Sequence, residues 1–197
     1  MTHVYFVRHS EPNYETHDDR SRELTGNGLA DRAFVTRYFL GKPISAVLSS
    51  PYRRALHTAQ IIGAGLGLEP IVDRRLCEIS FGPYEGTNYS EGRFADDNIR
   101  CCFQDPPRYV APEGAESFDA VAARVKDFFD NELAPLAGRF TRVLAVAHGG
   151  ILRTVLRLAA QIPLEDFWKG TQPNCCSHVV DLTDNHLSLK TRSVVFR

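Results

Sequence analysis

The sequence lacks the long apolar runs that secretory and membrane-spanning segments require. Its N-terminal apolar stretch covers only residues 4–7 and is broken by Arg8, too early for a signal peptide. A membrane-spanning helix needs about 20 consecutive apolar residues, and no stretch of the sequence approaches that length. We therefore expect a cytoplasmic protein that has no membrane partner.

The cysteines lack the number and the spacing of a disulfide framework or a zinc site. There are 5 of them, an odd number, and no C-x-x-C spacing occurs. Reduced thiols are the ordinary state of such cysteines in the cytoplasm. We predict neither a structural metal nor a cofactor. The cysteines are Cys77, Cys101, Cys102, Cys175 and Cys176.

The chain also lacks an excess of charge of one sign. With 23 basic and 24 acidic residues, its formal net charge is -1. No global field favours nucleic acid or an anionic membrane surface. Any anion site must be local, so the expected partner is a small molecule, and the oligomeric state stays open.

A short strand that ends in a cation and an imidazole is the first positive signal. Residues 4–7 are apolar, β-branched or aromatic, which predicts a strand buried on both faces. Arg8 and His9 follow at its carboxyl end, where open α/β folds bind ligands. On this stretch alone, an exposed Arg-His pair after an edge strand explains the pattern equally well.

Two more strands are predicted to end in polar residues. Residues 44–48 form one, and Ser50 with Pro51 then predicts a helix start that places Arg53 and Arg54 in the first turn. Cations are unfavourable there, which indicates a nearby anion, although we interpret Arg53 as solvated.

Residues 142–147 form the other strand, which ends in His148-Gly149-Gly150 before a helix. Glycines at such a position let backbone amides approach a ligand.

Three further elements complete the predicted fold. Thr25 caps a helix whose apolar face comprises Ala30, Ala33, Phe34 and Tyr38. A second helix runs from residue 118 towards residue 133, capped by Ser117 and ended by Pro135. Residues 179–182 and 187–191 flank Asp184-Asn185 as a hairpin. Alternation of strands and helices before a hairpin predicts an α/β three-layer sandwich with a mostly parallel mixed sheet. We expect residues 1–197 to form one domain.

A carboxylic acid in apolar company adds a candidate proton donor. Glu78 lies among Leu76, Cys77, Ile79 and Phe81, which should desolvate it and raise its pKa. A Glu that points outward is the alternative. Cys77 is interpreted as core packing, because no basic neighbour in the sequence would lower its pKa.

Taken in order, these motifs resemble the histidine phosphatase superfamily, the phosphoglycerate mutase-like group, and the resemblance spans most of the chain. The matching segments are Arg8-His9, Ser50-x-x-x-Arg54-Ala55, Leu76-x-Glu78 before Phe81-Gly82 and Tyr84-Glu85-Gly86, and Ala147-His148-Gly149-Gly150.

The resemblance implies a role for each matching residue. His9 is the nucleophile that becomes phosphohistidine, and Glu78 protonates the leaving oxygen and then activates water. Arg8 and Arg54 hold the phosphate, and His148 contacts the phosphoryl oxygens. The family usually has Gly where this chain has Ser10 and Asn where it has Glu15, which puts substrate preference in doubt rather than activity. The predicted substrate-binding set, beyond Arg8, Arg54 and His148, is Ser10, Asn13, Tyr14, Glu15, Phe81 and Gly149, with Tyr84 and Arg93 as further wall candidates.

The expected reaction is metal-independent hydrolysis of a small or mid-sized phosphate monoester. Only 69 residues lie between Glu78 and His148, and residues about 79–115 are expected to form a short lid or insertion. A short cover lets water reach the phosphohistidine, which favours hydrolysis over return transfer. A primer-dependent phosphoglycerate mutase and a non-catalytic phosphate-binding module are the alternatives.

The remaining polar groups are interpreted as scaffold or as solvated surface. The Arg20-Ser21-Arg22 cluster is expected to be a solvated face that an anionic substrate tail can meet. The histidines without a partner pattern are His3, His17, His57, His178 and His186.

Overall fold

A six-stranded mixed sheet forms the centre of the computed structural model, which describes residues 1–16, 18–85, 94–137, 139–183 and 186–195. The strand order is β3-β2-β4-β1-β5-β6. Strands β3, β2, β4 and β1 pair in parallel, and β5 and β6 add an antiparallel hairpin. The strands are β1 Thr2–Arg8, β2 Ala46–Ser49, β3 Ile71–Val72, β4 Arg142–Ala147, β5 Cys176–Thr183 and β6 His186–Val195.

Helices cover both faces of this sheet. The α-helices are α1 Gly26–Phe39, α2 Arg53–Leu66, α3 Asp97–Gln104, α4 Phe118–Phe128, α5 Ala134–Ala137 and α6 Gly149–Ala160. Short 3₁₀ turns lie at Arg74–Leu76, Gly82–Tyr84, Pro106–Arg108 and Leu164–Asp166. No helix within the described part of the chain is long and apolar enough to cross a membrane.

Alternation along the strands produces two hydrophobic cores. In β1, Val4 and Phe6 pack with side chains of α3, α4 and α6, whereas Tyr5 and Val7 pack with side chains of α1 and α2. Successive strand residues point to opposite faces, so one apolar strand serves both cores. The predicted three-layer α/β sandwich with a C-terminal hairpin is confirmed.

The sheet order brings the three predicted polar strand ends together. β4 lies between β1 and β2, with Arg8 opposite Ala147 and Ser49 opposite Val146. All three strands are parallel, so the residues that follow them share one edge. Open α/β sheets bind ligands at this edge.

The predicted apolar face of α1 is wrong by one position. Phe34 is 52% exposed, and Ala30 and Ala33 are also exposed, whereas Val35 and Phe39 are fully buried. Phe39 meets the ring of Tyr5 edge to face, with centroids 5.3 Å apart. One residue rotates a helix by about 100°, so a shift of one position changes the buried face.

Two helix boundaries also differ from the prediction. α2 begins at Arg53 with Tyr52 as its cap, because the Ser50 hydroxyl is engaged in a preceding turn and accepts from Tyr52 N at 3.2 Å. The helix expected to end before Pro135 continues through a π-helical turn, Phe129–Leu133, into α5. The wider turn accommodates a proline that has no N–H and would crowd the carbonyl four residues earlier. The strand predicted at residues 44–48 runs from Ala46 to Ser49, and the hairpin residues Asp184 and Asn185 lie outside the described residues.

Candidate active site

A cavity of about 390 Å³ lies at the carboxyl ends of β1 and β4. Its size is at the lower end of the range for small-molecule sites. Among the residues that line it are Arg8, His9, Arg54, Glu78 and Gly149. Four of the five predicted catalytic residues therefore share one cavity wall, and the fifth, His148, lies directly behind it.

His9 is held as a neutral ring with one nitrogen available. Its side chain is buried, and Nδ1 lies 2.7 Å from the carbonyl oxygen of Ser10. That carbonyl can only accept, so Nδ1 carries the proton and Nε2 keeps its lone pair. Burial lowers the pKa of His9 well below 6.5, and the nearby charges of Arg54 and Arg8 lower it further. The ring is therefore uncharged at neutral pH.

Arg54 links the imidazole to the loop that follows β1. Its Nε donates to His9 Nε2 at 3.1 Å, and its Nη2 pairs with Asp19 Oδ2 at 2.9 Å. Arg54 also donates to the Asp19 carbonyl. The guanidinium is only 4% exposed, so it needs these partners to offset its desolvation. The Asp19 carboxylate is the anion that meets this cation.

Arg8 lines the same cavity as His9 and Arg54. Its Nη1 donates to the carbonyl oxygen of Gln172. Its Nε is buried and has no hydrogen-bond partner within the described residues. Buried donors are rarely left unsatisfied, so this atom marks a place for an acceptor such as a phosphate oxygen.

His148 packs behind His9 rather than on the cavity surface. The two ring centroids are 5.1 Å apart, and His148 is fully buried. Its Nε2 lies 2.8 Å from Ser50 Oγ, whereas Nδ1 has no partner among the residues described. Burial lowers its pKa well below 6.5, with Arg54 as the next contributor. Ser50, predicted as a helix cap, thus orients this ring.

Glu78 lines the cavity as a partly desolvated acid. Its Oε1 accepts from Ile79 N at 3.0 Å and its Oε2 from Gly150 N at 3.2 Å. Burial raises the pKa of Glu78 above 4.5, although these two N–H groups and the arginines oppose the rise. Burial likewise raises the pKa of Cys77, which agrees with its interpretation as an unreactive thiol.

Gly150 allows Glu78 to approach the start of α6. A Cβ on Gly150 would lie 2.6 Å from Glu78 Oε1 and 2.7 Å from the side chain of Ile79. A Cβ on Gly149 would meet nothing closer than Arg8 Nε, at 3.7 Å. The second glycine of the pair is therefore required for the carboxyl group, and its N–H binds that group rather than a ligand.

Alanine substitutions at Gly149 and Gly150 test whether only the second glycine is required for the position of the Glu78 carboxyl group. We expect Gly150→Ala to displace the carboxyl group and lower kcat/KM about 100-fold, because misplacement by about 1 Å costs that much. Gly149→Ala gains the same helix propensity but creates no clash with Glu78. Its kcat/KM should therefore fall much less than that of Gly150→Ala. Steady-state hydrolysis of an alkyl phosphate by both variants provides the comparison. Equal losses would contradict the role of Gly150.

The structure separates the predicted substrate-wall residues into two groups. Tyr14 and Phe81 line the cavity, whereas Ser10, Asn13 and Glu15 do not. The buried Ser10 hydroxyl lies 3.1 Å from Cys175 Sγ, and Asn13 Oδ1 accepts from Glu15 N at 2.9 Å within an outer turn. Their expected contact with substrate is not supported by these positions. Tyr84 donates to Asp96 instead, and Arg93 lies outside the described residues.

Sequence reasoning missed several residues that line the cavity. Arg22, expected on a solvated face, is only 15% exposed at its side chain and pairs with Asp19 Oδ1 at 2.6 Å. The sequence pattern treats Arg20, Ser21 and Arg22 as one charged cluster, so it does not predict that Arg22 is more buried than a solvated face would require. The others lie in loops or on helix faces whose approach to the cavity depends on the tertiary fold: Asp19, Phe103, Arg153, Trp168 and Gln172.

One of the histidines expected in the scaffold packs inside the fold. His178 is fully buried and lies 2.6 Å from the side-chain oxygen of Gln172, so it supports the segment that holds Arg8. His17 is outside the described residues. Within the described ranges, no group of three or more His, Cys, Asp or Glu side chains is arranged to hold a metal ion.

A neutral buried imidazole, two arginines and a carboxylic acid with a raised pKa line one cavity, which is an arrangement suited to chemistry on phosphate esters. The model of the histidine phosphatase superfamily (branch 1) matches residues 4–194. The chain belongs to this superfamily.

Relatives with phosphatase and mutase names both match. A protein named putative phosphoserine phosphatase 2, from Hydrogenobacter thermophilus, is 29% identical over 201 residues, which cover 100% of this chain and 95% of that protein. A 2,3-bisphosphoglycerate-dependent phosphoglycerate mutase of Methylobacterium sp. strain 4-46 is 30% identical, with 77% of each chain covered. The chain spans only 31% of a Mycobacterium tuberculosis relative named bifunctional protein Rv2228c, with 38% identity over 117 residues.

Solved structures agree with the fold. Bacillus stearothermophilus YhfR superimposes with a TM-score of 0.82 at 25% identity, covering 96% of this chain and 95% of YhfR. Family, fold and phosphatase-named relatives together identify the chain as a phosphatase-type hydrolase of phosphate monoesters.

Proposed function

We propose that the chain hydrolyses a small or mid-sized phosphate monoester through a phosphohistidine formed on His9. The observation that carries the proposal is the state of the His9 ring. Its Nδ1 proton is committed to the Ser10 carbonyl, and its Nε2 lone pair is directed at Arg54 on the cavity side. Because Nε2 of the neutral ring already carries a lone pair, His9 needs no separate base to act as a nucleophile in covalent phosphoryl transfer.

The first half-reaction transfers the phosphoryl group to the ring. His9 Nε2 attacks phosphorus, and the bond from phosphorus to the ester oxygen breaks. The departing oxygen takes the proton of Glu78, a group whose pKa burial raises. The phosphohistidine ring carries positive charge, and the Ser10 carbonyl that accepts from Nδ1 stabilises it.

The second half-reaction returns the enzyme to its starting state. The Glu78 carboxylate accepts a proton from water as that water attacks phosphorus. The bond to Nε2 breaks, inorganic phosphate leaves, and Glu78 is again protonated. One difficult displacement is thereby divided into two easier ones.

Two of the arginines that line the cavity bind the phosphoryl group that is transferred. We assign Arg8 and Arg54 to the equatorial phosphoryl oxygens, because guanidinium groups match phosphate geometry and spread charge. The unpartnered Nε of Arg8 supplies a further contact. A phosphoryl dianion would compete with Asp19 for Arg54.

Three further assignments belong to this proposal. The chain acts as one domain over residues 1–197, and the described residues of the range about 79–115, which include the cavity residues Phe81 and Phe103, act as its lid or insertion. We place the enzyme in the cytoplasm, supported by the absence of any disulfide among its five cysteines, all of which are free thiols.

A mutase is the second candidate, since a relative that covers 77% of this chain bears that name. The decisive assay compares hydrolysis of 4-nitrophenyl phosphate with interconversion of 2- and 3-phosphoglycerate by the purified chain. We expect hydrolysis to be faster. Faster interconversion would establish the mutase, and the absence of both reactions would leave the non-catalytic binding module.

A further inference from the structure

The cavity that contains His9 is also lined by aromatic side chains. Tyr14, Phe81, Phe103 and Trp168 all contribute to the lining. The rings of Phe81 and Phe103 have centroids 5.6 Å apart, and those of Phe103 and Trp168 are 5.1 Å apart. We call Phe81, Phe103 and Trp168 the aromatic wall. It offers a continuous set of flat apolar surfaces.

The fold holds the aromatic wall in place. Trp168 Nε1 donates to the Cys102 carbonyl at 2.6 Å, which ties the indole to α3. Its ring also packs edge to face against Phe167, with centroids 4.8 Å apart. The polar edge of the indole is thus satisfied within the protein, so its contribution to the cavity is apolar.

The cation nearest this wall is engaged by the protein backbone. Arg153 Nη1 donates to the carbonyls of Phe167 and Lys169, each at 3.0 Å, and Nη2 donates to that of Gly170 at 2.7 Å. Its guanidinium lies 5.5 Å from the centre of the Trp168 ring. Arg153 therefore supports the loop that presents Trp168, and three of its N–H groups are already committed to backbone carbonyls.

Glu78 links the aromatic wall to the leaving group. Its carboxyl group is held by Gly150 N, and both Gly150 and Phe81 line the same cavity. Because Glu78 and Phe81 line the same cavity, an ester oxygen that receives the Glu78 proton leaves within a space that Phe81 helps to enclose. The carbon skeleton attached to that oxygen therefore has the aromatic wall as one of its boundaries.

From this arrangement we propose that the substrate is the phosphate ester of an alcohol bearing a flat apolar ring, rather than of a carboxylate-bearing alcohol such as serine or glycerate. The inference rests on the proposed function, because it assigns the leaving group of that reaction. It names a chemical class, an arylalkyl or aryl phosphate.

Benzyl phosphate and ethyl phosphate provide the sharpest test. Both release alkyl alcohols, so both need the Glu78 proton, and they differ mainly in the ring. We expect kcat/KM for benzyl phosphate to exceed that for ethyl phosphate about tenfold or more, as burial of a ring in a matched pocket allows. O-phosphoserine, the carboxylate-bearing comparison, should be no better than ethyl phosphate.

Leucine variants assign the preference to the aromatic wall. Phe81→Leu and Phe103→Leu keep an apolar side chain but remove the ring face, and each should reduce the benzyl-to-ethyl ratio about fivefold. Phe34→Leu is the matched control, because Phe34 is 52% exposed on α1 and does not line the cavity. Its ratio should equal that of the wild type. Thermal melting of each variant verifies folding.

The outcomes separate this inference from the proposed function. Hydrolysis of both esters at equal rates, or a clear preference for O-phosphoserine, overturns the inference and leaves the phosphatase intact. An unchanged ratio in Phe81→Leu and Phe103→Leu also overturns it. Failure of the wild type to hydrolyse any of the three esters overturns the proposed function itself.

Discussion

Replacing His9 with alanine should abolish turnover while preserving phosphate binding. The variant removes Nε2, the only atom assigned to attack phosphorus, so we expect kcat to fall by at least about 10⁴-fold. Arg8 and Arg54 remain, and their charges should still bind inorganic phosphate. The chain has one tryptophan, Trp168, which lines the cavity, so its fluorescence can report binding in the inactive variant.

His57→Ala is the matched control for this result. His57 lies on α2, is partly exposed and does not line the cavity. Its loss should leave both turnover and phosphate binding near wild-type values. If His9→Ala retained turnover comparable to the control, the assigned nucleophile would be wrong.

Glu78→Gln should show a loss that depends on the leaving group. The amide keeps the shape of the side chain but cannot donate the proton in the same way. We expect kcat/KM for ethyl phosphate to fall by about 10²–10⁴-fold, the usual contribution of a general acid. 4-Nitrophenyl phosphate releases a stable phenolate and should lose far less. Equal losses on the two esters would reject Glu78 as the proton donor.

The pH dependence of the wild type follows from the same two groups. As pH falls through the lowered pKa of His9, below 6.5, the ring gains a proton and kcat/KM declines. As pH rises through the raised pKa of Glu78, above 4.5, the acid is lost and kcat/KM for ethyl phosphate declines. The alkaline decline should be weaker for 4-nitrophenyl phosphate. Burial is the main cause of both shifts, so exposure of the cavity by mutation should move each pKa towards its ordinary value.

Local patterns in the sequence identified the strand ends because burial and polarity change there abruptly. Residues 4–7 and 142–147 are apolar runs that stop at Arg8-His9 and at His148. A local pattern cannot predict that these two strands are neighbours in the sheet. β1 and β4 are far apart in the sequence and meet only because β4 inserts between β1 and β2. The resemblance to a known family supplied that information in advance.

The loops explain most of what sequence reasoning missed. Asp19 and Trp168 reach the cavity from irregular segments, where no periodicity predicts the direction of a side chain. Ser10 shows how a resemblance can name a position without giving the direction of its side chain. The resemblance implies a place near substrate, whereas its hydroxyl lies against Cys175 and its carbonyl accepts from the His9 ring. Neighbouring residues in an extended segment point in opposite directions.

The most direct test of the account is to trap the intermediate on the ring. The enzyme is mixed with 4-nitrophenyl phosphate, quenched with base within a single turnover and mapped by mass spectrometry of its peptides. The account predicts a phosphoryl group on the peptide that contains His9, stable in base, lost in acid and absent from His9→Ala. A phosphoryl group on any other residue, or full hydrolysis with no adduct under conditions that trap phosphohistidine, would contradict it.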